Sequence, residues 1–129
     1  LIVSYLPEPE KHPLWNDIRE LLRPAAEYGK VGVLETGDLV WIALDGSTVF
    51  AAATTCPMGR EAMIVLAAGS RHREWIADFE GQVSAWAKAN GAEKLTMRGR
   101  KGWGRYARPF GWVVLGTDED GLTIYEKAL

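Results

Sequence analysis

Only one cysteine, Cys56, and two histidines, His12 and His72, occur in the 129 residues. A single cysteine excludes an intramolecular disulfide framework, and two histidines far apart in sequence leave poor material for a structural zinc site. No apolar run approaches the roughly 18–20 residues that cross a membrane. The opening Leu1-Ile2-Val3-Ser4-Tyr5 has neither a basic region nor a cleavage pattern, so it does not read as a secretory signal. It also lacks an initiator methionine, and the chain is expected to be trimmed. Gly-x-Ser-x-Gly, P-loop and Gly-x-Gly-x-x-Gly patterns are all missing, which removes three common signatures of nucleophilic and nucleotide-binding sites. No internal repeat or linker is present. The remainder is ordinary globular composition, 47% hydrophobic and 25% charged with a net charge of −2, which excludes disorder. The length suits a single domain over residues 1–129, expected to be soluble and cytoplasmic.

The charge is unevenly placed. Residues 94–108 hold Lys94, Arg98, Arg100, Lys101, Arg105 and Arg108 and no acid. A basic segment in a mildly acidic protein points to a local anion site rather than to wholesale nucleic-acid binding, which favours a basic pI. Like charges along one strand face cost stability. An anionic partner would account for them, and so would ion pairs to acids of the N-terminal helix (Asp17, Glu20, Glu27). Six tryptophans are expected to be mostly core anchors.

Local patterns predict the elements. Leu1–Leu6 alternates weakly, as a short strand. Trp15, Ile18, Leu21 and Leu22 recur at helical spacing, with Pro24 expected to end or kink that helix. Asp38–Leu44 is apolar on both faces. Asp45-Gly46 then signals a type I′ hairpin into Thr48–Thr55. Ala62–Ala68 is a continuous apolar run of strand length. Trp75, Ile76, Phe79, Val83 and Trp86 form the stripe of a long helix, with Ser70 as its expected N-cap and Asn90-Gly91 as its stop. Lys94–Arg100 alternates as a strand, Trp103–Phe110 reads as a short helix, and 112–115 and 122–126 as two last strands. Gly102 is expected to take a positive φ at the corner before Trp103. A helix crossing between the fourth and fifth strands makes that pair parallel. The fold class is therefore α/β (α+β), a mixed and mostly antiparallel sheet of six or seven strands with helices on both faces.

That element order resembles the GNAT (Gcn-type N-acetyltransferase) superfamily over nearly the whole chain. The segments Trp86-Ala87-Lys88-Ala89-Asn90-Gly91-Ala92, Gly99-Arg100-Lys101-Gly102-Trp103 and Pro109-Phe110-Gly111-Trp112 are more specific. They are similar to the small GNAT-like proteins of tailed phages and prophages, over about residues 83–115. The resemblance implies acetyl-CoA, bound at the turn between the fourth strand and the long helix, and an amine as acyl acceptor. It places Ala67, Ser70, Arg71 and Arg73 at the cofactor. The family pattern at this turn is Gln/Arg-x-x-Gly-x-Gly/Ala. With Arg71 in first position, Glu74 and Ile76 stand where small residues belong. The general acid of the family falls at Ala107, beside Tyr106, so Tyr106 is the candidate that protonates the thiolate. Glu61, at the start of the fourth strand, is the candidate base.

Two functions are expected from these readings. One is a degenerate acyltransferase that acts by binding nucleic acid or another protein through Arg98, Arg100, Lys101 and Arg105. The alternative is an active acyl-CoA-dependent N-acetyltransferase. No metal site is expected: Asp118-Glu119-Asp120 reads as a solvated hairpin tip, and Cys56 as a small buried hydrophobe.

Overall fold

A computed structural model describes residues 2–34 and 38–129; Leu1, the expected start of the first strand, lies outside them. The elements are β1 (Ile2–Leu6), α1 (Trp15–Gly29), β2 (Leu39–Asp45), β3 (Thr48–Met58), β4 (Glu61–Gly69), α2 (His72–Ala89), β5 (Lys94–Gly99), α3 (Gly104–Ala107), β6 (Val113–Thr117) and β7 (Thr123–Ala128). One seven-stranded sheet runs in the order β1-β2-β3-β4-β5-β7-β6. Only β4 and β5 are parallel; every other pairing is antiparallel.

Each face of the sheet carries a helix. In α2, Trp75, Phe79, Val83 and Ala87 are buried at four-residue spacing. They close over Trp41, Ala53, Ala62, Ile64 and Leu95 on one face. In α1, Ile18, Leu22 and Ala26 do the same against Val40, Ile42, Ala52 and Leu66 on the other. This double cover is why β2 is apolar on both sides.

Several local expectations are corrected. Pro24 does not end α1, which runs unbroken for 15 residues. Pro24 is solvent-exposed, so the carbonyl that loses its N–H partner can turn to water. The hairpin turn is Gly46-Ser47, one residue later than read, and only Gly46 has a positive φ. Ser70 does not cap α2. Arg71, in the left-handed region at φ 57°, holds that position with no side-chain cap. The 101–110 segment is three short turns, of which only Gly104–Ala107 is α-helical. Gly102 has no positive φ, and a Cβ there would meet nothing within 4 Å. The rigidity of this corner comes from Tyr125 instead, whose buried hydroxyl donates to the carbonyls of Arg100 (2.8 Å) and Lys101 (3.0 Å).

The feature that positions the site is a β-bulge. Thr54 pairs with Leu66 and Thr55 with Ile64, which leaves Val65 as an extra residue in β4. Parallel pairing with β5 stops at the same point, Ile64↔Met97. A bulge bends its strand and sharpens the local twist. Beyond it β4 stays on β3 while β5 turns away, and the sheet opens.

Candidate active site: the cleft between β4 and β5

A cavity of about 700 Å³ fills this opening. Its floor is the stretch of β4 from Ile64 to Gly69 with Ser70 after it, and its walls come from both faces of the sheet. Leu21, Pro24, Ala25 and Tyr28 of α1 line one side. His72, Trp103 and Tyr106 line the other. Trp103 is half-buried in the wall and does not plug the cleft, and Trp75 is buried in the core below it. From Val65 onward β4 pairs only with β3. Its other edge offers backbone N–H and C=O groups to whatever occupies the cleft, as an exposed sheet edge offers them to an added strand.

Of the two expected catalytic residues, Tyr106 lines the cavity. Its ring stacks on His72, with centroids 4.7 Å apart and planes at 22°, and meets Trp103 edge-on at 6.1 Å. Among the described residues none hydrogen-bonds its hydroxyl. Ala67 is on the floor.

The turn from β4 to α2 is organised differently from the expectation. The Ser70 N–H donates to the Phe50 carbonyl at 2.9 Å, so it is not free for an anion. The Arg71 guanidinium lies 4.1 Å above the Phe50 ring. It also pairs with Glu74, with Nη2 2.6 Å from Oε1, and reaches Asp45 at 3.3 Å. The Arg71 hydrogen bonds hold the Glu74 carboxyl below its usual range. Arg73 is exposed, at the start of α2.

Glu61 sits at the closed end of the β4–β5 pair, opposite Lys94. Its carboxylate takes the Lys94 ammonium at 3.2 Å, Glu126 takes it from the other side at 3.2 Å, and both raise the lysine's pKa. Glu61 does not line the cavity.

The basic segment is not one continuous patch. Lys94 is spent on Glu61 and Glu126, and Arg98 binds Asp118 at 3.3 Å. The compensating acids thus come from β4, β7 and the β6–β7 turn, not from Asp17, Glu20 or Glu27. Arg100 lies 4.6 Å over the Tyr28 ring and Arg105 5.8 Å over Tyr106. Arg98, Arg100 and Arg105 line the cavity, whereas Lys101 is exposed outside it.

Asp118 also accepts the N–H groups of Asp120 and Leu122 at 2.9 Å, which makes 118–121 an ordinary Asx-type turn. Cys56 is half-buried rather than the fully buried hydrophobe expected, and burial and Asp38 push its thiol up, which favours the protonated form. Among the described residues no group of three His, Cys, Asp or Glu is placed to hold a metal, and no helix is long and apolar enough to cross a membrane.

Sequence reasoning passed over His72. It is the first residue of α2, held between Tyr106, Trp103 (5.2 Å, edge-on) and Trp75 (5.5 Å). It is the one imidazole in the cavity wall, and no carboxylate lines that wall among the described residues. Loss of water pushes its pKa below the ordinary 6.5. The fold therefore favours the neutral ring. That contribution to stability is complete above pH 6.5 and is lost as pH falls through the lowered folded value. The midpoint of urea unfolding is expected to drop on acidification from about pH 7 to about pH 5, and less steeply in a His72→Gln variant. Equal slopes for the two proteins would show that His72 titrates alike folded and unfolded.

No family model matches the sequence, and no curated protein matches it either. Solved structures do match, over the whole chain. An aminoglycoside 6'-N-acetyltransferase from Enterococcus faecium superposes with a TM-score of 0.73 at 13% identity, covering 99% of this chain and 97% of that one. A GNAT family acetyltransferase from Elizabethkingia anophelis with acetyl-CoA bound gives 0.72 at 16% identity, with 98% of each chain covered. The PaiA N-acetyltransferase of Thermoplasma acidophilum in complex with coenzyme A gives 0.72 at 13% identity, with 100% of each covered. At such identities the likeness carries architecture and not activity. The superposition covers the whole seven-stranded mixed sheet and its helices, and the chain has the GNAT acetyltransferase fold.

Proposed function

We propose that the protein is an acyl-CoA-dependent N-acyltransferase that works in the β4–β5 cleft. The carrying observation is the cleft itself: an open cavity with a bare strand edge along its floor and the Tyr106 hydroxyl in its wall. A pantetheine-like arm, extended and rich in amides, suits an unpaired β4 edge from Val65 to Gly69. The apolar lining suits an acyl group. The phosphate end of the molecule is served less fully. The Ser70 N–H and Arg71 are already engaged; Arg73 and Arg105 are cations on that side without an ion pair among the described residues.

Tyr106 acts as the acid. Its proton goes to the sulfur as the C–S bond breaks and the amine nitrogen bonds to the acyl carbon. His72, neutral near pH 7, accepts the proton the amine loses, so that thioester and amine leave as thiol and amide. Glu61 has no part in this, because Lys94 holds it at the closed end of the strand pair. Such proton transfers contribute roughly 10²–10⁴-fold. Tyr106→Phe is therefore expected to lower kcat for thiol release from acetyl-CoA by about 100-fold, with KM and the unfolding midpoint little changed. A variant as fast as the parent would remove Tyr106 from the chemistry. The reading implies a cytoplasmic protein, where acyl-CoA is supplied.

One observation favours a second reading. The donors of the β4–α2 turn are already taken, the Ser70 N–H by Phe50 and Arg71 by Glu74 and Asp45. That suits a degenerate acyltransferase, of phage or prophage origin, which binds an anionic partner such as nucleic acid, or another protein, through Arg100, Lys101 and Arg105, with Arg98 beside them. Binding to a mixed-sequence oligonucleotide that weakens steeply with salt, without any response to acetyl-CoA, would favour it.

A further inference from the structure

The cavity wall carries charge of one sign only. Among the described residues that line it there is no Asp or Glu, while Arg98, Arg100 and Arg105 all reach it. The three are not equivalent. Arg98 is neutralised by Asp118, whose side chain is only 8% exposed. Arg105 lies on the α3 side with Tyr106. Arg100 lies on the opposite side. Its guanidinium carbon lies over the Tyr28 ring of α1, 4.6 Å from the centroid, and it has no ion-pair partner among the described residues. A guanidinium over a ring face is steadied there and keeps N–H donors for a bidentate anion. Around it, Leu21, Pro24 and Ala25 give an apolar wall.

The two sides of the cleft thus divide the work. A thioester laid along β4 with its sulfur at Tyr106 occupies the α2–α3 side. The α1 side, with Arg100 and its apolar surround, is left for the acceptor. An ammonium group brought beside that guanidinium is repelled, and an anionic group is attracted. Resting on the acyltransfer reading above, we infer that the acceptor is an amine that also carries an acidic group and an apolar body, as a hydrophobic amino acid does. Its carboxylate docks on Arg100, and polycationic amines are rejected.

Calorimetry with the acylated product tests this without turnover. N-acetyl-L-phenylalanine and N-acetyl-L-phenylalaninamide share a body and differ in one negative charge. The acid is expected to bind about tenfold more tightly than the amide. Arg100→Gln should abolish that difference, and Arg100→Lys should keep part of it. Spermidine should give no heat. Equal affinities for acid and amide, a preference for the amide, or binding of spermidine would overturn the assignment. So would a difference that survives Arg100→Gln in a protein with unchanged circular dichroism. A parallel titration with coenzyme A separates the two claims. Coenzyme A bound without acid-over-amide discrimination refutes the anionic acceptor and leaves acyltransfer standing. Discrimination without coenzyme A binding refutes acyltransfer and leaves an anion subsite. No binding of either refutes both.

Discussion

Replacing Gly69 by alanine is expected to destabilise the domain by about 2–4 kcal/mol, from backbone strain and overpacking together. Gly69 ends β4 directly opposite Ala51 of β3, at φ +148°. A Cβ there would sit 2.6 Å from both the Cα and the Cβ of Ala51, and closer still to the Phe50 carbonyl oxygen. None of these is the far end of a flexible side chain, so β3 itself would have to move. The same close approach lets Ser70 reach the Phe50 carbonyl and sets Arg71 over the Phe50 ring. Gly69→Ala should therefore disturb the cleft as well as the stability. Equilibrium urea unfolding reads the effect on stability, and the amide resonances of Val65 to Ser70 in the ¹⁵N-labelled protein read the effect on the cleft. A loss below about 0.5 kcal/mol, the range of ordinary surface changes, would mean that the strands are not packed this closely.

Glu80→Leu should cost still more, about 3–5 kcal/mol. Glu80 lies in α2 with only 7% of its surface exposed. One carboxylate oxygen accepts the Trp112 indole N–H at 2.6 Å, and the other accepts the Lys127 ammonium at 3.0 Å. Lys127 also donates to the Ser84 hydroxyl at 3.0 Å. This network ties α2 to the β5–β7–β6 half of the sheet, the half that swings away to form the cleft. With leucine at 80, a largely buried ammonium loses its carboxylate and keeps only Ser84, a buried indole N–H loses its acceptor, and burial of the new methyl groups does not offset that. The double variant Glu80→Leu/Lys127→Met removes the stranded charge and should recover a good part of the loss. Full additivity of the two single effects would show that the pair is not coupled.

The fold was legible because its signals are local and consistent. Spacing of Trp75, Phe79, Val83 and Ala87 specifies a helix face, and a helix between two apolar strands specifies a parallel pair. The site was less so. Ile64-Val65-Leu66 is uniformly apolar, so no alternation betrays that Val65 is an extra residue, and the bulge that opens the sheet leaves no mark in the pattern. The partners of the basic segment lie far off in the chain: Lys94 meets Glu126, and Arg98 meets Asp118. Side-chain type alone could not pair them, and the acids of α1 were expected in their place. Gly102 looked like a corner because glycine permits positive φ, yet nothing in its surroundings demands one. His72 was read as a lone histidine. Its significance comes from Tyr106 and Trp103, which only the packing of α3 on α2 brings to it.

Acetyl-CoA titrated into the ¹⁵N-labelled protein tests the central claim most directly. Binding in the β4–β5 cleft predicts that amide resonances of Val65 to Ser70, and of Gly99 to Tyr106, shift saturably, while those of β1, β2 and the β6 edge stay in place. No shift at millimolar acetyl-CoA, or shifts gathered on β6 and away from the cleft, would contradict the assignment of this opening as an acyl-CoA site.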